Sequence, residues 1–236
     1  MLSYSIPSYI QNIYEKKIPG FPGICYQCDF CTNGYSDSNT KHLLDESLHE
    51  SLTHAVAKRK SEFVAGRYLA RKALITLGSS KATVGVGANR EPIWPDYFLG
   101  SLSHTSDFAI CAVANKKDVD RIGIDAENIL NQKVAKDIVK NILIESEYKL
   151  VGTYNNPDPV MLTLIFSAKE SLFKALYPEV KHYFDFDTAK MKEINFTTRQ
   201  FTLELVQMLG PNLPIGTRFY GTFEFSAERV FTVITC

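Results

Sequence analysis

The stretch Asn115-Lys116-Lys117-Asp118-Val119-Asp120, followed by Arg121-Ile122-Gly123-Ile124-Asp125-Ala126-Glu127, decides the fold. Its first six residues are polar and turn-forming. The next seven read as a strand with acids at its end. An apolar strand, Phe108–Ala114, precedes the turn. A polar connection here divides the 236 residues into an N-terminal lobe, 1–116, and a C-terminal lobe, 117–236. Each is long enough for its own core. Helices and strands interleave and several hairpins are signalled, so the expected class is α+β with two lobes.

Upstream, residues 1–40 read as loop, with Pro7, Pro19 and Pro22 among several Gly and Ser, and helical signals begin around Asp45. From Val56 to Leu77, apolar residues recur at Val56, Phe63, Ala70 and Leu77, with Gly66, Leu69, Ala73 and Leu74 on the same side. That is one face of a long helix, stopped by Gly78. Its other side carries Lys58, Arg59, Lys60, Arg67, Arg71 and Lys72 against one acid, Glu62. Such a stripe is either a solvated face or a phosphate-binding one. Ala82–Gly87 reads as a strand, and Asn89-Arg90-Glu91-Pro92 as a turn. Downstream, the pattern predicts a helix over Asn131–Ile144, a loop over Gly152–Pro159 and a helix over Ser167–Tyr177. Strands follow at Phe196–Leu205, Thr217–Phe225 and Arg229–Ile234.

Composition narrows the function. Lys+Arg and Asp+Glu both number 26, and 45% of residues are hydrophobic. Fifteen Phe and twelve Tyr exclude overall disorder. Zero net charge argues against wholesale nucleic-acid binding. No apolar run is long enough to span a membrane. The N-terminus lacks a basic head followed by an apolar stretch, which points to the cytoplasm. Cys25, Cys28 and Cys31 form a C-x-x-C-x-x-C run with His42 as the nearest fourth ligand, while Cys111 and Cys236 lie far away. A zinc site wants four ligands, so plain thiols are the expected reading.

The chemistry concentrates in three places. Asp125 and Glu127 are two apart, so a strand points both to one face. Like charges there repel, and Mg²⁺ held against a polyphosphate resolves the repulsion. A strand end running into solvent is the plainer alternative. Next, Ser167 and Glu170 have capping-box spacing, which predicts a helix starting at Ser167. Lys174 lies one turn beyond Glu170, as an ordinary helix ion pair would. Alternatively, Glu170 joins Asp125 and Glu127, with Lys169 or Lys174 facing phosphate. Third, Ser103-His104 ends a strand without the acid of a hydrolase triad. It either caps a turn or binds phosphate.

Together these pieces resemble the 4′-phosphopantetheinyl transferases of the surfactin/enterobactin type. The resemblance rests on five stretches in order: Lys58-Arg59-x-x-Glu62-Phe63-x-x-Gly66-Arg67-x-x-Ala70, Arg90-Glu91-Pro92-x-Trp94-Pro95, Gly100-Ser101-Leu102-Ser103-His104, Gly123-Ile124-Asp125-Ala126-Glu127, and Phe166-Ser167-Ala168-Lys169-Glu170-Ser171-Leu172-Phe173-Lys174-Ala175. They cover roughly residues 55–180. The enterobactin-synthase branch is the most similar.

The resemblance implies a single-chain pseudo-dimer of two similar lobes, monomeric, with coenzyme A in the cleft between them. It implies that Asp125, Glu127 and Glu170 hold Mg²⁺. Glu170 is also the implied base, and Lys174 neutralises the pyrophosphate or protonates the leaving group. Arg59, Arg67, Arg90, Ser103 and His104 would hold the phosphates. The partner would be an apo peptidyl, aryl or acyl carrier protein, in siderophore or other nonribosomal peptide synthesis or in fatty-acid or polyketide synthesis. Two other activities stay open: a coenzyme A- or nucleotide-binding regulator, and a metal-dependent phosphodiesterase built on the three acids. The cysteine run is outside the resemblance.

Overall fold

The structure is a computed structural model that describes residues 9–236. The chain forms two compact units, Met1–Asp120 and Arg121–Cys236. Both combine helices with antiparallel sheet, an α+β arrangement.

The first unit runs β1 (Ile10–Glu15), β2 (Ile24–Phe30), α1 (Asp37–Leu44), α2 (Ala57–Thr76), β3 (Gly85–Val86), β4 (Pro92–Ile93), β5 (Phe98–His104) and β6 (Phe108–Asn115). Its sheet has the order β1-β2-β6-β5, antiparallel throughout. Helix α2 lies on it through Val64, Ala65, Leu69, Ala70, Ala73 and Leu74, all fully buried. Each large apolar side chain so buried contributes about 1.5–3 kcal/mol. The helix stops as its Gly predicts. Gly78 is left-handed (φ +78°), and Gly78 N–H and Ser79 N–H donate to the carbonyls of Ile75 and Leu74.

Residues 1–40 are not the loop that their prolines suggest. Residues 1–8 lie outside the described residues, but 10–15 and 24–30 form a hairpin. Pro19, Gly20, Pro22 and Gly23 occupy its connection. Strand β2 is buried on both faces: Tyr26, Cys28 and Phe30 join the core under α2, and Cys25 and Gln27 are buried as well. The helix expected from Asp45 runs instead over Asp37–Leu44, and Asp45 ends it in the left-handed conformation.

The second unit runs β7 (Ile122–Asn128), α3 (Gln132–Ile142), a 3-10 turn (Glu145–Leu150), β8 (Gly152–Thr153), β9 (Asn156–Pro157), α4 (Pro159–Val180), β10 (Ala189–Asn195), β11 (Gln200–Leu205), β12 (Arg218–Phe225) and β13 (Arg229–Thr235). Its antiparallel sheet has the order β10-β11-β12-β13-β7. The expected loop over 152–159 contains the short β8–β9 hairpin.

Helix α4 begins two turns before Ser167. Pro159 takes the first helical position, and Asp158 caps it by accepting from Val160 N–H (2.8 Å) and Met161 N–H (3.2 Å). Ser167 is therefore interior and caps nothing. With Ser171 it meets Thr232 of β13: the Thr232 hydroxyl is 2.9 Å from Ser167 Oγ and 2.6 Å from Ser171 Oγ. Thr232 pairs across the strands with Asp125. Gly123 lets α4 settle on β7, because a Cβ there would stand 1.8 Å from the Ser171 carbonyl oxygen. Two and four residues on, Asp125 and Glu127 share that face.

Candidate functional site

In the second unit, β7 presents Asp125 and Glu127, and α4 presents Glu170 and Lys174. Asp125 is 1% exposed. Lys174 Nζ lies 2.7 Å from Asp125 Oδ1, so the lysine reaches across to the strand. Burial, then the neighbouring Asp125 and Glu170, push the Glu127 carboxyl up to about 8 against the opposing pull of Lys174. Burial also raises Glu170; Lys174 draws it back, and Asp125 raises it further. Three acids and one ammonium thus share one field, and in it the carboxyls of Glu127 and Glu170 are raised. Glu170 also lines a cavity of about 90 Å³ with Leu172, Phe173, Tyr183, Phe184 and Phe186.

Hard carboxylate oxygens on one strand face suit a hard divalent cation. Their mutual repulsion, with two of the three acids shifted up, is the field that such an ion would relieve. Still, among the described residues no group of three His, Cys, Asp or Glu side chains is assembled around a metal position. The cation placed on Asp125 is Lys174.

Lys169 does not face a ligand. It is 3% exposed and donates to Glu147 Oε2 (2.7 Å), the Ile142 carbonyl (2.8 Å) and the Phe186 carbonyl (3.0 Å). Glu147 in turn accepts from the backbone N–H groups of Ile144 and Met191. This buried pair ties α4 to its surroundings beside Glu170.

The first unit gathers the basic groups. Arg67 is not on a solvated stripe: it is 7% exposed. Its Nη2 donates to the Gly85 carbonyl (3.0 Å), and its guanidinium lies 5.0 Å from the centre of the Phe63 ring. Among the described residues its Nε and Nη1 have no hydrogen-bond partner. Burial lowers its pKa to about 10. A buried guanidinium with two open donors is a ready anion site.

The Arg67–Gly85 bond also ties α2 to the β3–β4 hairpin, whose turn carries Arg90. Arg90 is left-handed (φ +67°), and its N–H donates to the Gly87 carbonyl (2.9 Å). Glu91 Oε2 accepts from Asn89 N–H (2.9 Å) and steadies the turn. Trp94 then packs over Gly100, where a Cβ would meet the indole at 2.6 Å. This seats the hairpin against β5, which carries Ser103 and His104. His104 Nε2 is 3.1 Å from Arg59 Nη1, and Ser103 is buried.

The cysteine run makes no chelate. Cys25 and Cys28 are three apart on β2, hence on opposite faces, and both are buried, while Cys31 is exposed. None of the five cysteines is in a disulfide. Two features escaped the sequence reading: the aromatic wall around Glu170, and the burial of Glu62 between Arg59 and His104. The lone acid of the basic stretch was the available signal for the second.

Comparison with known proteins identifies the family. The model of the 4′-phosphopantetheinyl transferase N-terminal domain matches residues 48–114, and that of the 4′-phosphopantetheinyl transferase superfamily matches residues 121–223. Enterobactin synthase component D of Salmonella typhi is 38% identical over 149 residues, 63% of this chain and 61% of that protein. The Escherichia coli (strain K12) protein of the same name is 38% identical over 127 residues, 54% of this chain and 59% of its own. The 4′-phosphopantetheinyl transferase Svp of Streptomyces mobaraensis is 36% identical over 182 residues, 76% of this chain and 71% of that protein. The chain thus spans about three-fifths of the length of the component D relatives it matches. By these matches over both units, the chain belongs to the 4′-phosphopantetheinyl transferase superfamily.

Proposed function

We propose that this protein transfers the 4′-phosphopantetheine group of coenzyme A to a serine of an apo carrier protein, with release of 3′,5′-ADP and with Mg²⁺ as the metal. The observation that carries the reading is the Asp125–Lys174 ion pair set among Glu127 and Glu170, whose carboxyls burial has raised.

The serine hydroxyl attacks the β-phosphorus of coenzyme A. The bond from that phosphorus to the bridging oxygen breaks, and 3′,5′-ADP leaves with the electron pair. Displacement at phosphorus depends on positioning and charge neutralisation. Arg67 brings open donors for phosphate oxygens, joined by Arg59, Arg90, Ser103 and His104. Glu170 accepts the serine proton; a carboxyl raised toward neutrality is better matched to that task, which contributes about 10²–10⁴-fold. Lys174 offsets negative charge on the pyrophosphate. Asp125, Glu127 and Glu170 would hold Mg²⁺, which supplies charge neutralisation and orientation when bound. We read the protein as a cytoplasmic monomer. Among the described residues no helix is long and apolar enough to cross a membrane.

The component D relatives carry enterobactin in their names, which favours aryl or peptidyl carrier domains of a siderophore synthetase as partners; an acyl carrier protein is the alternative. The test is release of 3′,5′-ADP from coenzyme A and Mg²⁺ with and without an apo carrier. Release only with the carrier is expected. Release without any acceptor would make the protein a phosphodiesterase. Binding of coenzyme A without release in either case would make it a regulator.

A further inference from the structure

His104, at the end of β5, has a charged group at each ring nitrogen. Arg59 Nη1 is 3.1 Å from Nε2, and Glu62 Oε2 is 3.8 Å from Nδ1. The same carboxylate oxygen lies 3.7 Å from Arg59 Nη1. A guanidinium only donates, so Nε2 accepts and the ring proton sits on Nδ1, facing Glu62. The tautomer is thus assigned from its partners. Glu62 is 8% exposed, a burial that a carboxylate tolerates when cations face it. Around the imidazole, β6 sets uncharged Ala109 opposite His104. In the β5–β6 turn, Asp107 accepts from the Thr105 hydroxyl (2.9 Å). On α2, Lys60 is paired with Asp37, and Arg67 is a second cation that Arg59 repels.

An arriving phosphate competes for the Arg59 N–H. Once the guanidinium turns to the anion, Nε2 faces negative charge with a lone pair and takes a proton from solvent. The imidazolium then donates from Nε2 to the phosphate, and its Nδ1–H faces the Glu62 carboxylate as an ion pair. We propose that Glu62 is a positioning residue: it fixes His104 as the Nδ1–H tautomer and makes phosphate-ester binding at Arg59 and His104 draw one proton from solvent. The inference rests on the transferase reading for the identity of the anion.

The experiment is calorimetric titration of the full chain with 3′,5′-ADP at about pH 8, in buffers of different ionisation enthalpy. Wild type is expected to take up a proton on binding. Glu62→Gln is expected to bind roughly tenfold more weakly, the scale of losing an orienting carboxylate, and to take up less of a proton. Equal affinity and equal uptake in a folded Glu62→Gln variant would overturn the proposal. Should that variant not fold, nitrogen-15 NMR of the wild-type imidazole decides: an Nδ1–H tautomer without ligand supports the proposal, and an Nε2–H tautomer overturns it. Tight wild-type binding with no proton uptake overturns the proposal and leaves the transferase reading standing. A wild type that binds neither 3′,5′-ADP nor coenzyme A overturns both.

Discussion

Lys174 Nζ lies 2.7 Å from Asp125 Oδ1 and bridges α4 to β7 where Glu127 and Glu170 feel the same charges. Either partner alone would leave the balance wrong. Without the lysine three acids repel; without Asp125 the ammonium loses its bonded anion.

Asp125→Asn separates catalysis from folding. Removing one negative charge eases the repulsion on Glu127 and Glu170, and Lys174, 24% exposed on its side chain, keeps access to water. The thermal midpoint should move by about 3 °C or less, while transfer falls by about 10²–10³-fold, the scale of losing one preorganised charge. Scanning calorimetry and carrier turnover measure the two. A folded variant with near-normal turnover contradicts the assignment of Asp125.

Stability without divalent cation should depend on pH through Glu127. Its folded carboxyl is raised to about 8 from an ordinary value of 4.5. The protonated folded form gives stability that is fully present below the ordinary value and is lost as pH rises through about 8. The thermal midpoint in EDTA should therefore fall between about pH 5 and pH 9. Added Mg²⁺ should raise it more at the alkaline end. A flat profile, or an equal Mg²⁺ effect at both ends, counts against the carboxylate cluster.

How much of this was legible in the sequence depends on whether local pattern or tertiary partner sets each feature. Helix α2 and strand β7 were readable because an apolar face and a polar connection are local signals. The β1–β2 hairpin was hidden: Cys25–Phe30 is buried on both faces, so it shows no alternation, and its connecting prolines look like loop. The start of α4 was masked by Met161–Phe166, mostly apolar with no helical period, while Ser167 and Glu170 mimicked a cap; Asp158-Pro159 was the true signal. Spacing singled out Asp125, Glu127, Glu170 and Lys174 as candidates but left a solvent-facing strand end and an ordinary helix ion pair as open alternatives. The commitment of Lys169 to Glu147, 22 residues away, was not, because nothing local encodes it. Nor was the burial of Arg67, which a helical wheel had put on a basic face.

Arg67 should trade stability for binding. A guanidinium that is 7% exposed, with Nε and Nη1 open among the described residues, costs free energy in the ligand-free protein. Arg67→Met should stabilise that form by about 1 kcal/mol and weaken coenzyme A binding at least tenfold, as loss of a charged hydrogen-bond donor does. Denaturant melts and a binding titration check both. Unchanged coenzyme A affinity would remove Arg67 from the site.

Gly123→Ala should damage the fold of the second unit. The new methyl carbon would stand 1.8 Å from the Ser171 carbonyl oxygen, a backbone atom that cannot step aside. A cost of about 3 kcal/mol follows from overpacking, with activity lost because α4 shifts off β7. A variant with the wild-type denaturation midpoint would show that the two backbones do not approach so closely.

The central claim is the transfer itself, and mass spectrometry of an apo carrier domain incubated with the protein, coenzyme A and Mg²⁺ tests it most directly. The account predicts a gain of one phosphopantetheine group on the carrier serine, absent in EDTA and absent when that serine is alanine. Coenzyme A binding with no mass gain on peptidyl, aryl or acyl carriers would contradict it.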